Sequence, residues 1–221
     1  MPLVGFLVIG VFCMIACMLY MAWPWKTITI PKIVIIAAVM PIIGVLGSYG
    51  MYFIENGKWD GRSFYGAVFL MPVLMYPVAK LLKVGYGEAL DLCIPAGCIS
   101  HALIKVKCSI DGCCYGRAFI INSRRVRFPS QKVECVAALV LMAVLLVMAK
   151  KGKWKGKIYF WYLILYGASR FVLEFFRDTD PWIGPLSAGS FWSLISIAIG
   201  AAALLYSRKL DEGETMKERS L

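Results

Sequence analysis

The stretch IVIIAAVMPIIGVLGSYGMYFI, residues 33 to 54, runs for 22 residues without an Asp, Glu, Lys or Arg. About 20 helical residues cross a hydrocarbon core of about 30 Å, so the segment reads as a membrane span. Residues 3 to 23 and 186 to 207 are free of charge over the same length. Four further apolar segments carry isolated charges: 64 to 82, 88 to 104, 133 to 149 and 158 to 176. Backbone amides and carbonyls cannot go unpaired in lipid, so the seven segments are expected to be helices. Pro41, Pro72, Pro77 and Pro95 then become kinks whose freed carbonyls neighbouring helices must satisfy.

The rest of the chain agrees with this reading. Of 221 residues, 60% are hydrophobic and 17% charged, and the mean hydropathy is +0.73. Soluble domains average roughly 45 to 50% apolar residues, so a soluble domain is excluded. The sequence implies an all-α integral membrane protein with about seven spans, residues 1 to 207 forming one domain and 208 to 221 a short polar tail. No basic flank precedes the first segment, so it is not expected to be a cleaved signal peptide.

The net charge is +11. In a membrane chain that excess points to anionic lipid before nucleic acid, since no basic stretch stands apart from the apolar runs. Seven spans place the termini on opposite sides. With the tail cytoplasmic, thirteen Lys and Arg fall inside, among them Lys26 and the five lysines of 150 to 157, and ten fall outside. The bias favours an outside N-terminus. Residues 105 to 132 oppose it, with seven basic residues offset only by Asp111; anionic headgroup binding would explain that exception.

Charge inside spans marks function by default. Arg170, Glu174 and Arg177 in YGASRFVLEFFR stand at i, i+4 and i+7, on one helical face. A second concentration runs from Asp91 to Glu134. It includes His101, Lys105 one turn further on, GCCYGR at 112 to 117, and RFPSQKVE at 127 to 134, where Pro129 and Ser130 read as a helix start with Glu134 in the first turns. The segment 105 to 132 reads as a polar floor within the bundle. Most tryptophans lie near span ends, as an interface belt does.

Five of the eight cysteines fall between 93 and 114. No pair has the C-x-x-C spacing of a thiol oxidoreductase, and Cys108, Cys113, Cys114 and His101 match no zinc spacing. No metal or other cofactor is therefore expected, and the cysteines read as small buried apolar side chains.

Taken in order, DGRSFYGA at 60 to 67, GCCYGR, RFPSQKVE and YGASRFVLEFFRDTD at 166 to 180 resemble the bacterial prolipoprotein diacylglyceryl transferase family. The resemblance covers about Trp59 to Tyr206. It implies a seven-helix enzyme of the cytoplasmic membrane with an outside N-terminus and its site on the outer side. The implied reaction moves a diacylglyceryl group from phosphatidylglycerol to the lipobox cysteine of a prolipoprotein and releases glycerol phosphate. Arg170, Glu174 and Arg177 match the family's GxxRFxxEFFR element, and Gly116 and Arg117 match the end of its GRxGNFxNGExxGR signature. Elsewhere in that signature Lys105, Cys108, Asp111 and Cys113 stand where the family has Arg, Asn, Asn and Glu, and Tyr65 stands at its usual His.

Alkylating a thiol with a glycerol carbon requires a thiolate and cations on the departing phosphate. Arg170 and Glu174 are the candidate catalytic pair, with Tyr65 or His101 as candidate base. Lys105, Arg117, Arg127 and Arg177 are candidate phosphate ligands, and Asp111, Gly116, Ser130, Gln131 and Glu134 candidate supporting contacts. The expected partners are phosphatidylglycerol or another anionic phospholipid and a prolipoprotein signal peptide; sequence leaves the oligomeric state open. A non-catalytic or differently specific relative that binds anionic phospholipid and a membrane client is the alternative.

Overall fold

The computed structural model describes the backbone of residues 3–25, 28–121 and 124–219, and the side chains of these except 3–7, 121 and 209–219. Lys26 and the side chains of the charged tail beyond Arg208, both used above to orient the chain, lie outside what is described. The chain is a multi-pass helical membrane protein. Its helices are α1 (Leu3–Ala22), α2 (Ile30–Asn56), α3 (Phe64–Leu82), α4 (Tyr86–Asp111), α5 (Ser130–Lys150), α6 (Ile158–Glu174) and α7 (Ala188–Arg219). All but α6 are long and apolar enough to cross a bilayer. α6 has 17 residues.

α4 is the central helix, the most buried of the six long apolar helices. Leu90, Leu92 and Ile94 pack inside it against Met18, Ile36, Met75, Leu145 and Ile158. The outward faces carry Phe12, Leu46, Val140 and Leu205, which suits a lipid surround. α2 and α3 approach until Gly47 and Gly66 leave no room for a Cβ on either, the small-residue contact that replaces hydrophobic drive between membrane helices.

At Pro72 the freed carbonyl is satisfied from another helix. Pro72 cannot donate to the carbonyl of Val68, and the hydroxyl of Tyr159 on α6 donates to it at 2.5 Å. Asp91, fully buried in α4, accepts from the amides of Gly156 and Tyr159 at 2.6 and 2.8 Å. Its carboxylate thus caps the start of α6, where the helix dipole favours negative charge.

Two expectations change. The segment placed at 88 to 104 is longer: α4 runs to Asp111, so Lys105 and Lys107 belong to a helix and not to a polar loop. The all-α architecture stands, and within the connection between α4 and α5 Ala118–Ile121 (β1) and Arg124–Arg127 (β2) form an antiparallel hairpin, Ala118 opposite Arg127. Finally α6 stops at Glu174, so Arg177 does not continue its face. The chain turns there because Arg177 pairs as an isolated β-bridge with Gly116.

Candidate active site

The end of α4, the starts of α3, α5 and α7 and the end of α6 meet at one end of the bundle. Side chains from α4, from α6 and from Arg177 beyond it converge on Glu134, the one acid of α5. It is 2% exposed. Its Oε1 accepts from Arg177 Nη1 at 2.7 Å and lies 3.8 Å from Arg170 Nη1. Its Oε2 lies 2.9 Å from Lys105 Nζ and 3.5 Å from His101 Nε2. The expected shared face of His101 and Lys105 is present, and both point at this carboxylate.

Glu174 forms the second anionic point. Its Oε2 is 2.8 Å from Arg170 Nη1 and 3.6 Å from Arg177 Nε, while its Oε1 accepts from Ser187 Oγ at 2.8 Å. A Cβ on Gly189 would stand 2.7 to 2.8 Å from this carboxylate. Only glycine at the start of α7 leaves Glu174 that position.

Three cations thus face two carboxylates, an excess of one positive charge. The cluster borders a cavity of about 980 Å³ that also reaches Tyr65, Cys108 and Cys114 and runs between α2, α3 and α4 along Met40, Val45, Val68 and Ile94. A charged end and an apolar length suit a lipid whose headgroup is anionic.

Tyr65 is buried, and its hydroxyl shares a 2.7 Å hydrogen bond with Ser193 of α7. The ring of His101 packs edge-on against Phe64 and Tyr166. Ser130 and Gln131 act on the preceding turn: Ser130 Oγ donates to the Cys114 carbonyl at 2.7 Å, and Gln131 Nε2 donates to that of Cys113. Gly116 is buried where a Cβ would strike the Phe176 carbonyl and Phe128 Cβ, so it permits the bridge that sets Arg177.

Other expected residues stand apart. Arg117 is exposed and its Nε donates to the Arg177 carbonyl at 3.0 Å. Arg127 is exposed on β2. Asp111 pairs with Lys107 at 2.5 Å on the exposed end of α4. The cysteines divide: Cys93 and Cys98 are buried as expected, whereas Cys108 in the last turn of α4 is half-buried and Cys113 and Cys114 are exposed, because the helix ends before these two.

Sequence reading placed Glu134 at the periphery and overlooked Ser187, Gly189 and Ser193. The signal for Glu134 was present, a lone acid in an otherwise apolar span. For the α7 residues there was none, since small polar residues are common in membrane helices.

The model of the prolipoprotein diacylglyceryl transferase family matches residues 3–206. Three similar proteins all bear the name phosphatidylglycerol–prolipoprotein diacylglyceryl transferase. That of Geobacter sulfurreducens is 30% identical over 166 residues, 68% of this chain and 64% of that protein. The Chlorobaculum tepidum protein is 29% identical over 167 residues, 69% of this chain and 58% of that protein. The Clostridium tetani protein is 27% identical over 189 residues, covering 74% and 76%. The matched region thus spans about three-fifths of the length of the first two relatives. With a family match across nearly its whole length, the chain belongs to the prolipoprotein diacylglyceryl transferase family.

Proposed function

We propose that the chain transfers a diacylglyceryl group from phosphatidylglycerol to the cysteine thiol of a prolipoprotein signal peptide and releases glycerol phosphate. The observation that carries this reading is the excess of one cation at the buried end of a lipid-sized cavity, which balances the single charge of a phosphodiester. Arg170 and Arg177 present planar forks and Lys105 a point charge to the phosphate oxygens. Glu134 and Glu174 hold those cations in place, so that they are oriented before charge develops on the leaving oxygen. Arg117 and Arg127 lie outside this cluster and are assigned to headgroups at the surface.

The site lies at the end of the bundle where α1 begins, because Gly10 of α1 packs on Leu103 of α4. With the N-terminus outside, as the lysine-rich 150 to 157 connection on the opposite end favours, the reaction takes place on the outer side of the cytoplasmic membrane.

A second reading is a relative that binds anionic lipid and client without turnover. The observation behind it is that the Tyr65 hydroxyl is already bonded to Ser193 and that His101 Nε2 faces Glu134. The test is to place the full chain in vesicles of phosphatidylglycerol or phosphatidylcholine with a lipobox peptide. Peptide mass gained by one diacylglyceryl group in the first vesicles only is the expected result; lipid retention without mass gain would establish the second reading.

A further inference from the structure

The proposed reaction leaves the acceptor thiol without a group to ionise it, and the same cavity borders Cys108 and Cys114, which stand beside Cys113. Among the described residues, the sulfurs of Cys108, Cys113 and Cys114 lie within 4.8 Å of one another. We propose that these three thiols form a zinc site with an open fourth position, and that the client peptide's cysteine binds there as a thiolate before it is alkylated. The role of the ion rests on the transferase reading; the site itself does not.

The geometry is prepared for such an ion. Tetrahedral zinc with Zn–S bonds of about 2.3 Å spaces its sulfurs about 3.8 Å apart, so side-chain rotation of about an ångström closes the three around it. The turn that carries them is held at several points. Gly112 ends α4 in the left-handed region, the Cys113 amide donates to the Cys108 carbonyl at 3.1 Å, and the first two residues of α5 grip the carbonyls of Cys113 and Cys114. Cys114 itself has φ 58°, a conformation costly for a residue with a side chain and retained where surroundings enforce it. Packing does not explain these cysteines, because Cys113 and Cys114 are exposed.

Three thiolates with no nearby fourth protein ligand in the group are the donor set of an open zinc site. A thiol that coordinates zinc gives up its proton. Here the client S–H would lose its proton as the Zn–S bond forms. The sulfur would then form an S–C bond to the glycerol carbon of the lipid as that carbon's bond to the phosphate oxygen breaks. The electron pair leaves with glycerol phosphate, which takes up the proton. The thioether product is a weak ligand and departs. Cys108 and Cys114 lie on the cavity that holds Arg170 and Glu174, so ion and phosphate floor border one space.

The test uses the full chain in detergent, equilibrated with zinc and freed of excess ion. About one zinc per chain is expected in the wild type and in Cys135→Ser, and none in the combined Cys108→Ser, Cys113→Ser, Cys114→Ser variant. Loaded with cobalt, the wild type should show thiolate-to-cobalt absorption that strengthens with a lipobox peptide and not with its Cys-to-Ser analogue. Failure of the wild type to hold zinc, or a cobalt spectrum indifferent to the peptide thiol, would overturn the inference. Transfer that survives the triple substitution would overturn it while leaving the transferase reading intact. Zinc binding and the peptide response without any transfer would uphold the site and overturn the transferase reading instead.

Discussion

Arg177 lies beyond the end of α6, yet its Nη1 donates to Glu134 Oε1 of α5 at 2.7 Å, and that carboxylate also meets Lys105 from α4. One buried acid therefore ties three parts of the chain together. Removing a partner from such a group leaves uncompensated charge and costs about 3 to 5 kcal/mol. Glu134→Gln keeps the shape and removes the charge. It should lower stability by about that amount, read as a marked drop in Tm in detergent; an unchanged Tm would show that the cations are not held by Glu134.

Lys105 supplies the excess charge without the fork of an arginine. A hydrogen bond to a charged group contributes about 1.5 to 3 kcal/mol, and about 1.4 kcal/mol is tenfold in rate or binding. Lys105→Met should therefore reduce kcat/KM for phosphatidylglycerol about tenfold to a hundredfold, with Lys105→Arg recovering part of it. Initial rates across a lipid titration decide the matter.

Gly189 faces the carboxylate of Glu174, itself fixed by Arg170 and Ser187. An added methyl must displace the acid or the start of α7. Overpacking of this kind costs about 1 to 3 kcal/mol, so Gly189→Ala should lower both Tm and transfer. Full transfer in the variant would mean that the position of Glu174 is unimportant.

Asp91 is at the other end of the bundle and caps α6. Asp91→Ala leaves the buried Tyr159 amide unpaired, at about 1 to 3 kcal/mol, and the part-buried Gly156 amide with it. The variant should melt earlier and yet transfer at a rate within about twofold of wild type per folded molecule, since distant sites act independently. A large loss in folded protein would place Asp91 in the site after all.

The spans were legible because charge-free runs of about 20 residues have few readings other than a membrane helix. The demand that neighbours satisfy the prolines was legible too, and Tyr159 on Val68 meets it for Pro72. The centre of the site was less so. Arg170 and Glu174 announce each other by i, i+4 spacing, but Glu134 finds its partners on α4 and beyond α6, contacts that no local period encodes. The exposure of Cys113 and Cys114 was hidden for a related reason. Their spacing matches no metal pattern, and only the end of α4 at Gly112, which turns Cys113 and Cys114 back towards Cys108, brings the sulfurs together.

The most direct test of the account incubates the wild type and Arg170→Ala with lipobox peptide in phosphatidylglycerol vesicles and counts both products. The account predicts diacylglyceryl peptide and glycerol phosphate in equal amounts from the wild type and neither from a folded Arg170→Ala protein. Equal yields from the two proteins, or no product from folded, lipid-loaded wild type, would contradict it.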